Sequence, residues 1–169
     1  MAILTFDTID STNNYLKLHA DSLPHFTIVR ARFQHAGRGQ LDRQWQSNPN
    51  ENIHVSLLIK SFQQYANVKA IESAFIRLCQ SFFTHYGIHV DHKLPNDLMV
   101  NGKKIAGMLI ETKQQENTLQ HVILGVGLNI NQTSFVNLPS ATSLAILTKK
   151  TYPIDALFEH FIEVCSPLK

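Results

Sequence analysis

Asn101-Gly102 separates two apolar runs, Leu98-Met99-Val100 and the stretch from Lys103 to Thr112. Asn-Gly between such runs is the strongest short-range hairpin signal, because a tight two-residue turn needs positive φ at both central positions. A hairpin joins antiparallel neighbours, so part of any sheet in this chain is antiparallel. Further strands are expected at 3–9, 26–34, 53–60, 88–94 and 118–131, where β-branched and apolar residues concentrate. VILGVGL, within the last of these, is almost wholly apolar and reads as a central strand. Asp10-Ser11-Thr12 reads as a helix start. Apolar residues at 68, 71, 75, 78, 79, 82 and 83 give helical spacing across 65–86, and helical segments are expected near 141–149 and 154–165. Strands cluster instead of alternating with helices. This order predicts an α+β fold with a mixed, largely antiparallel sheet and helices packed on one face.

A length of 169 residues fits a single domain with a real core. The net charge of +2 is too small to imply a nucleic-acid partner by itself. No apolar run reaches the length of a membrane span, and the N-terminal MAILTFDTIDSTNN lacks the pattern of a secretory signal. Cys79 and Cys165 stand far apart in apolar, helix-like settings, which suits two free thiols in a reducing cytoplasm. Nine histidines show neither HExxH nor HxH spacing and read as surface or incidental residues, with no histidine metal site.

The segment 35–52 has no periodicity and forms a long loop, the kind of segment that carries function in compact domains. Within it, Gly37 and Gly39 flank Arg38, and Arg43 follows. Glycine lets backbone N–H groups approach an anion, and arginine supplies fixed donors for phosphate or carboxylate. The same residues also fit a solvated loop with two surface arginines. Neither a Walker A loop nor the dinucleotide fingerprint is present. Lys93 closes the strand at 88–94, and Pro95 fixes the turn after it. Asn96 and Asp97 either cap that turn or hold a nucleotide and Mg²⁺. Lys103 and Lys104 face opposite sides of their strand, so at most one enters a given pocket. Gly107 marks a bulge or a ligand lying close to the backbone, and Gly125 and Gly127 mark either tight sheet packing or room for a ligand. An anion-binding loop, a fixed lysine, a carboxylate and glycine-thinned strands suit the joining of one anion to another. Electrostatic stabilisation of the transition state is what such a reaction needs. No G-x-S-x-G elbow and no cysteine paired with a base point to a covalent intermediate.

Seven motifs then occur in a familiar order: DSTN (10–13), Gln34 with AGRGQ (36–40) and Trp45, Asn52-x-x-x-Ser56, KLPND (93–97), KKIAGMLIE (103–111), GVGLNIN (125–131) and ATSL (141–144). With these the chain resembles the catalytic domain of biotin protein ligases, a fold of the class II synthetase-like, biotin–lipoate ligase type. The resemblance implies activation of biotin by MgATP to biotinyl-5′-adenylate, followed by transfer to a lysine of a biotin carboxyl carrier protein. It places Ser11, Thr12, Asn13 and Gln34 at biotin, with Gly37, Arg38, Gly39, Lys93 and Gly107 beside it. It assigns Arg38 and Lys93 to the chemistry. It puts Arg38, Trp45, Asn96, Lys104 and Asn129 at the nucleotide and Asp97 near its Mg²⁺. ATP and Mg²⁺ act as co-substrates, and no permanently bound cofactor is implied. The implied setting is cytoplasmic, without nucleic acid or membrane, and exposed sheet edges allow a homodimer. Residues 1–169 are expected to form one catalytic domain, with neither the N-terminal DNA-binding domain nor the small C-terminal barrel found in relatives. Three residues depart from the family pattern: Leu94 stands where Trp is usual, and Gln40 and Asp42 occupy loop positions usually held by Arg or Gly. The alternatives are a lipoate or octanoate ligase or transferase of the same fold, whose loop usually ends in histidine, and a non-catalytic biotin- or nucleotide-binding module.

Overall fold

The computed structural model describes residues 2–41 and 43–169. In chain order the elements are β1 (Ala2–Ile9), α1 (Thr12–His19), β2 (Thr27–Gln34), β3 (Ile53–Ile59), α2 (Val68–His85), β4 (Asp91–Lys93), β5 (Asp97–Val100), β6 (Lys103–Gln115), β7 (Thr118–Leu128), α3 (Leu144–Thr148) and α4 (Ile154–Val164). The strands form one sheet in the order β1-β2-β3-β7-β6-β5-β4. Only β1 and β2 pair in parallel, and the other neighbours are antiparallel. The α+β class, the mixed sheet and the central place of VILGVGL in β7 are as expected.

The helices divide between the two faces, where the sequence reading put them on one. Strand alternation explains this. Ile28, Leu57 and Leu124 point to a core built with Phe75, Phe82 and Phe83 of α2 and Phe158 and Phe161 of α4. Their strand neighbours Val29, Leu58 and Ile123 point the other way, against Leu16 of α1 and Ala20 just after it. Strands apolar on both sides must be covered on both sides. Each fully buried Phe or Leu contributes about 1.5–3 kcal/mol. No described helix is long and apolar enough to cross a membrane.

Several boundaries shift for local reasons. The strand expected at 88–94 shortens to Asp91–Lys93. The backbone N–H groups of Gly87 and Ile88 turn back to the carbonyls of Thr84 and Phe83, with Gly87 at φ +77°, so this segment closes α2 before the strand begins. The expected helix at 141–149 shrinks to Leu144–Thr148, capped by Ser143. The Thr142 N–H donates to the Lys104 carbonyl, which ties the preceding residues to β6. β7 ends at Leu128, since the Ile130 N–H donates to the Asn52 side chain.

Candidate active site

The site lies on the sheet face that carries α1. Cross-strand register sets its floor. Ser56 stands opposite Gly125, and His54 opposite Gly127. Gly127 is in turn opposite Gly107, and Gly125 opposite Leu109. Two levels result, about 7 Å apart along the strands.

At the first level the N-terminus of α1 descends onto the sheet. Ser11 caps the helix by accepting from the Asn14 N–H at 3.4 Å. The Thr12 N–H donates to Gln34 Oε1 at 2.8 Å, and its hydroxyl lies 3.1 Å from the same oxygen. The Ser56 hydroxyl donates to Asn13 Oδ1 at 2.6 Å and sits 2.7 Å from Thr12 Oγ1. Asn13 Nδ2 donates to the Leu109 carbonyl at 3.1 Å and to Glu111 Oε2 at 2.9 Å. Gly125 makes this possible, because a Cβ there would collide with the Asn13 amide.

The second level belongs to the loop. Gly37 and Gly39 pair back onto Trp45 and Arg43 as a tight hairpin: Gly39 N–H donates to Arg43 O at 2.7 Å, and Trp45 N–H to Gly37 O at 2.9 Å. A Cβ at Gly37 would lie 2.8 Å from the Trp45 carbonyl, so the glycine serves backbone closure. The hairpin lays the Trp45 indole over Gly107 and Gly127. A Cβ on Gly107 would come within 2.7 Å of the ring, which is why that strand position carries no side chain. The bulge lies on β6 two residues before Gly107, where Ile105 has no partner across the register shift between Leu98 and Met99 of β5. Lys104 Nζ stands 5.2 Å from the centre of the same indole and 2.6 Å from Asp97. Lys103 is exposed on the opposite side.

These groups share one cavity of ≈ 610 Å³, within the range of small-molecule sites. Ser11, Thr12, Asn13 and Gln34 line it, and so do Arg38, Gly39 and Trp45. Lys93, Asn96, Asp97, Lys104, Gly107 and Asn129 complete the expected set. Gly37 does not line the cavity. Asp42 lies outside the described residues. Lys93, at the end of β4, reaches the cavity with no ion-pair partner among the described residues. Leu94 is 79% exposed at the rim, and Gln40 and Leu41 lie on the hairpin beside it.

Two amide donors expected at the nucleotide bond to protein carbonyls instead. Asn96 Nδ2 donates to the Met108 carbonyl at 2.8 Å. Asn129 Nδ2 donates to the Thr142 carbonyl at 3.0 Å. Asp97, expected to stand near Mg²⁺, is paired with Lys104. Among the described residues no group of three or more His, Cys, Asp or Glu gathers to hold a metal.

Glu111 went unassigned in the sequence. Its carboxylate accepts from Arg38 Nη1 at 3.2 Å and Nη2 at 3.1 Å. Burial pushes its pKa up, but hydrogen bonds from Asn13 and Arg38 and the charges of Arg38 and Lys17 hold it below the usual carboxylate value. Arg38 Nη1 also donates to Asn14 Oδ1 at 2.8 Å. The histidine reading needs correction as well. His54 is 1% exposed, and burial lowers its pKa to about 4 against a partial opposing pull from the Ala31 carbonyl. His121 is buried too. The alternation of IHVSLLI could have shown that His54 and Ser56 share a face with Leu58. Nothing local in the sequence marks Glu111 as a partner of Arg38, 73 positions away.

Comparison with known proteins places this geometry. The family model described as "Biotin/lipoate A/B protein ligase family" matches residues 5–129. The "Bifunctional ligase/repressor BirA" of Bacillus spizizenii is 35% identical over 132 residues, covering 76% of this chain and 40% of that protein. A "Biotin--[acetyl-CoA-carboxylase] ligase" from Paracoccus denitrificans is 31% identical over 127 residues, or 72% of this chain and 51% of that one. The chain thus spans between two-fifths and half of the length of these relatives. Among solved structures, the biotin protein ligase of Aquifex aeolicus in complex with biotin and ATP superposes with a TM-score of 0.83 at 23% identity, covering 99% of this chain and 69% of that one. At that identity the likeness is one of fold.

Proposed function

The chain belongs to the biotin/lipoate A/B protein ligase family, and from that premise we propose that it is an ATP-dependent biotin–protein ligase. Biotin and MgATP give biotinyl-5′-adenylate and pyrophosphate. A lysine of a biotin carboxyl carrier protein then takes the biotinyl group. In the first step a carboxylate oxygen attacks the α-phosphorus and pyrophosphate leaves. In the second, the lysine amine attacks the acyl carbon and AMP leaves. Both substrates of the first step are anions, so the barrier is electrostatic in large part. The observation that carries the reading is the meeting of two chemistries in one cavity. Neutral hydroxyl and amide groups from Ser11, Thr12, Asn13 and Gln34 stand beside the cations Arg38, Lys93 and Lys104. The neutral set suits a ureido ring on an otherwise apolar ligand. The cations suit a carboxylate and phosphates.

In this reading Lys93, unpaired at the cavity wall, takes the reacting carboxylate and α-phosphate. Lys104 exchanges Asp97 for nucleotide oxygens. Asp97, so released, stands near the phosphate-borne Mg²⁺. The hairpin at 37–45 excludes water from a mixed anhydride that water would otherwise hydrolyse. Two free, buried cysteines suit a reducing cytoplasm. Relatives whose names specify biotin as the group ligated favour biotin over lipoate as the acyl group. The test is mass-spectrometric detection of acyl-adenylate after mixing the protein with MgATP and either biotin or lipoate. Biotinyl-adenylate is expected. Lipoyl-adenylate alone would replace the acyl group in this proposal, and neither product from folded protein would overturn it.

A further inference from the structure

Arg38 sits on an exposed hairpin, yet its guanidinium is held. Glu111 takes Nη1 and Nη2 in a fork, and Asn14 takes the second hydrogen of Nη1. Glu111 is fixed in turn. It stands on β6 opposite Ile123 of β7, and its carboxylate receives Asn13 Nδ2. Asn13 is held by Ser56 and by the Leu109 carbonyl. An unbroken run of hydrogen bonds therefore leads from the middle of the sheet to a loop side chain.

We propose that Glu111 is a positioning residue that presents Arg38 to the reacting carboxyl and phosphate groups. The inference rests on the function proposed above. The donor count supports presentation over blockage. A guanidinium has five N–H groups. Three are taken by Glu111 and Asn14, which leaves Nε–H and one hydrogen of Nη2 to meet ligand oxygens. The fork geometry fixes the plane of those remaining donors. A guanidinium preset in this way loses less freedom when the adenylate forms, and the adenylate leaves more slowly. Lys17, 3.7 Å from Glu111 and largely exposed, adds charge without fixing orientation.

The experiment measures escape of biotinyl-adenylate into solution from the full chain supplied with biotin and MgATP, with thermal melting alongside. Glu111→Gln keeps the shape but sets its amide NH₂ against donors from Arg38 and Asn13. Its adenylate is expected to escape roughly tenfold faster, with a smaller fall in the rate of formation. Glu111→Asp, which restores the charge, is expected to recover part of the loss. Adding Glu111→Gln to Arg38→Ala is expected to change escape little further, because both act through one guanidinium. Escape at the wild-type rate from folded Glu111→Gln would overturn the inference, as would full additivity with Arg38→Ala. Should Glu111→Gln fold poorly, the cycle with Glu111→Asp decides by additivity alone, full additivity with Arg38→Ala overturning the inference. A wild-type protein that forms no acyl-adenylate would instead overturn the function on which the inference rests.

Discussion

Lys93 and His54 mark opposite ends of the site's chemistry. Lys93 is exposed and carries no partner among the described residues, so Lys93→Ala is expected to leave melting unchanged while lowering biotinyl-adenylate formation roughly a hundredfold. Undiminished formation by the folded variant would remove this lysine from the reaction. His54 is buried and neutral, its pKa lowered from the ordinary 6.5 to about 4. Its folded-state value lies below the unfolded one, so the unfolded chain binds more protons between these limits. Stability is therefore complete above about pH 6.5 and falls as acid approaches pH 4, by about 3 kcal/mol from this residue. Urea melts at pH 7 and pH 4.5 are expected to show a smaller difference for His54→Gln than for wild type. Lys93 was legible as the end of a strand before proline. His54 was not, since a lone polar residue in an apolar strand does not reveal that both faces of the strand are covered.

At the level of elements, β7 decides how closely α1 reaches the sheet. Gly125→Ala places a methyl group against the Asn13 amide and 3.0 Å from the Leu109 carbonyl. A backbone carbonyl in a paired strand has little room to yield, so the expected cost is about 1–3 kcal/mol in a denaturant melt, with α1 displaced. An unchanged melt would show that Asn13 swings aside. The sequence marked Gly125 and Gly127 as places where side chains are absent but left open what fills them. The structure gives each a different occupant, Asn13 for one and Trp45 for the other. That difference arises from the 37–45 hairpin and the entry of α1, neither of which periodicity along β7 encodes. The same limit explains Glu111: Arg38, Asn13 and Glu111 meet only because β6 is central enough to pass beneath both the loop and the helix.

For the whole molecule, the two cores meet across one sheet, so damage on either side is felt by the site. Phe161 is fully buried between α4 and α2, where its ring contacts that of Phe82. Phe161→Ala is expected to cost about 3–5 kcal/mol. A single thermal transition is also expected, with adenylate formation and secondary structure lost together. Separate transitions would mean that the α4 side unfolds independently of the sheet that carries the cavity. The sheet class, the central strand and most of the cavity lining were legible from strand clustering and motif order. The division of helices between faces was not, because alternation shows which residues face one another but not which helix covers them.

The chain contains a single tryptophan, and that indole lies against the glycines of β6 and β7 with the Lys104 ammonium near its ring. All tryptophan emission from this protein therefore originates at the cavity. Any occupant that shifts the hairpin or draws Lys104 toward phosphate changes the polarity and charge around one chromophore, with no second one to dilute the signal. The fold thus carries its own optical reporter, placed where substrates would be read and needing no added label.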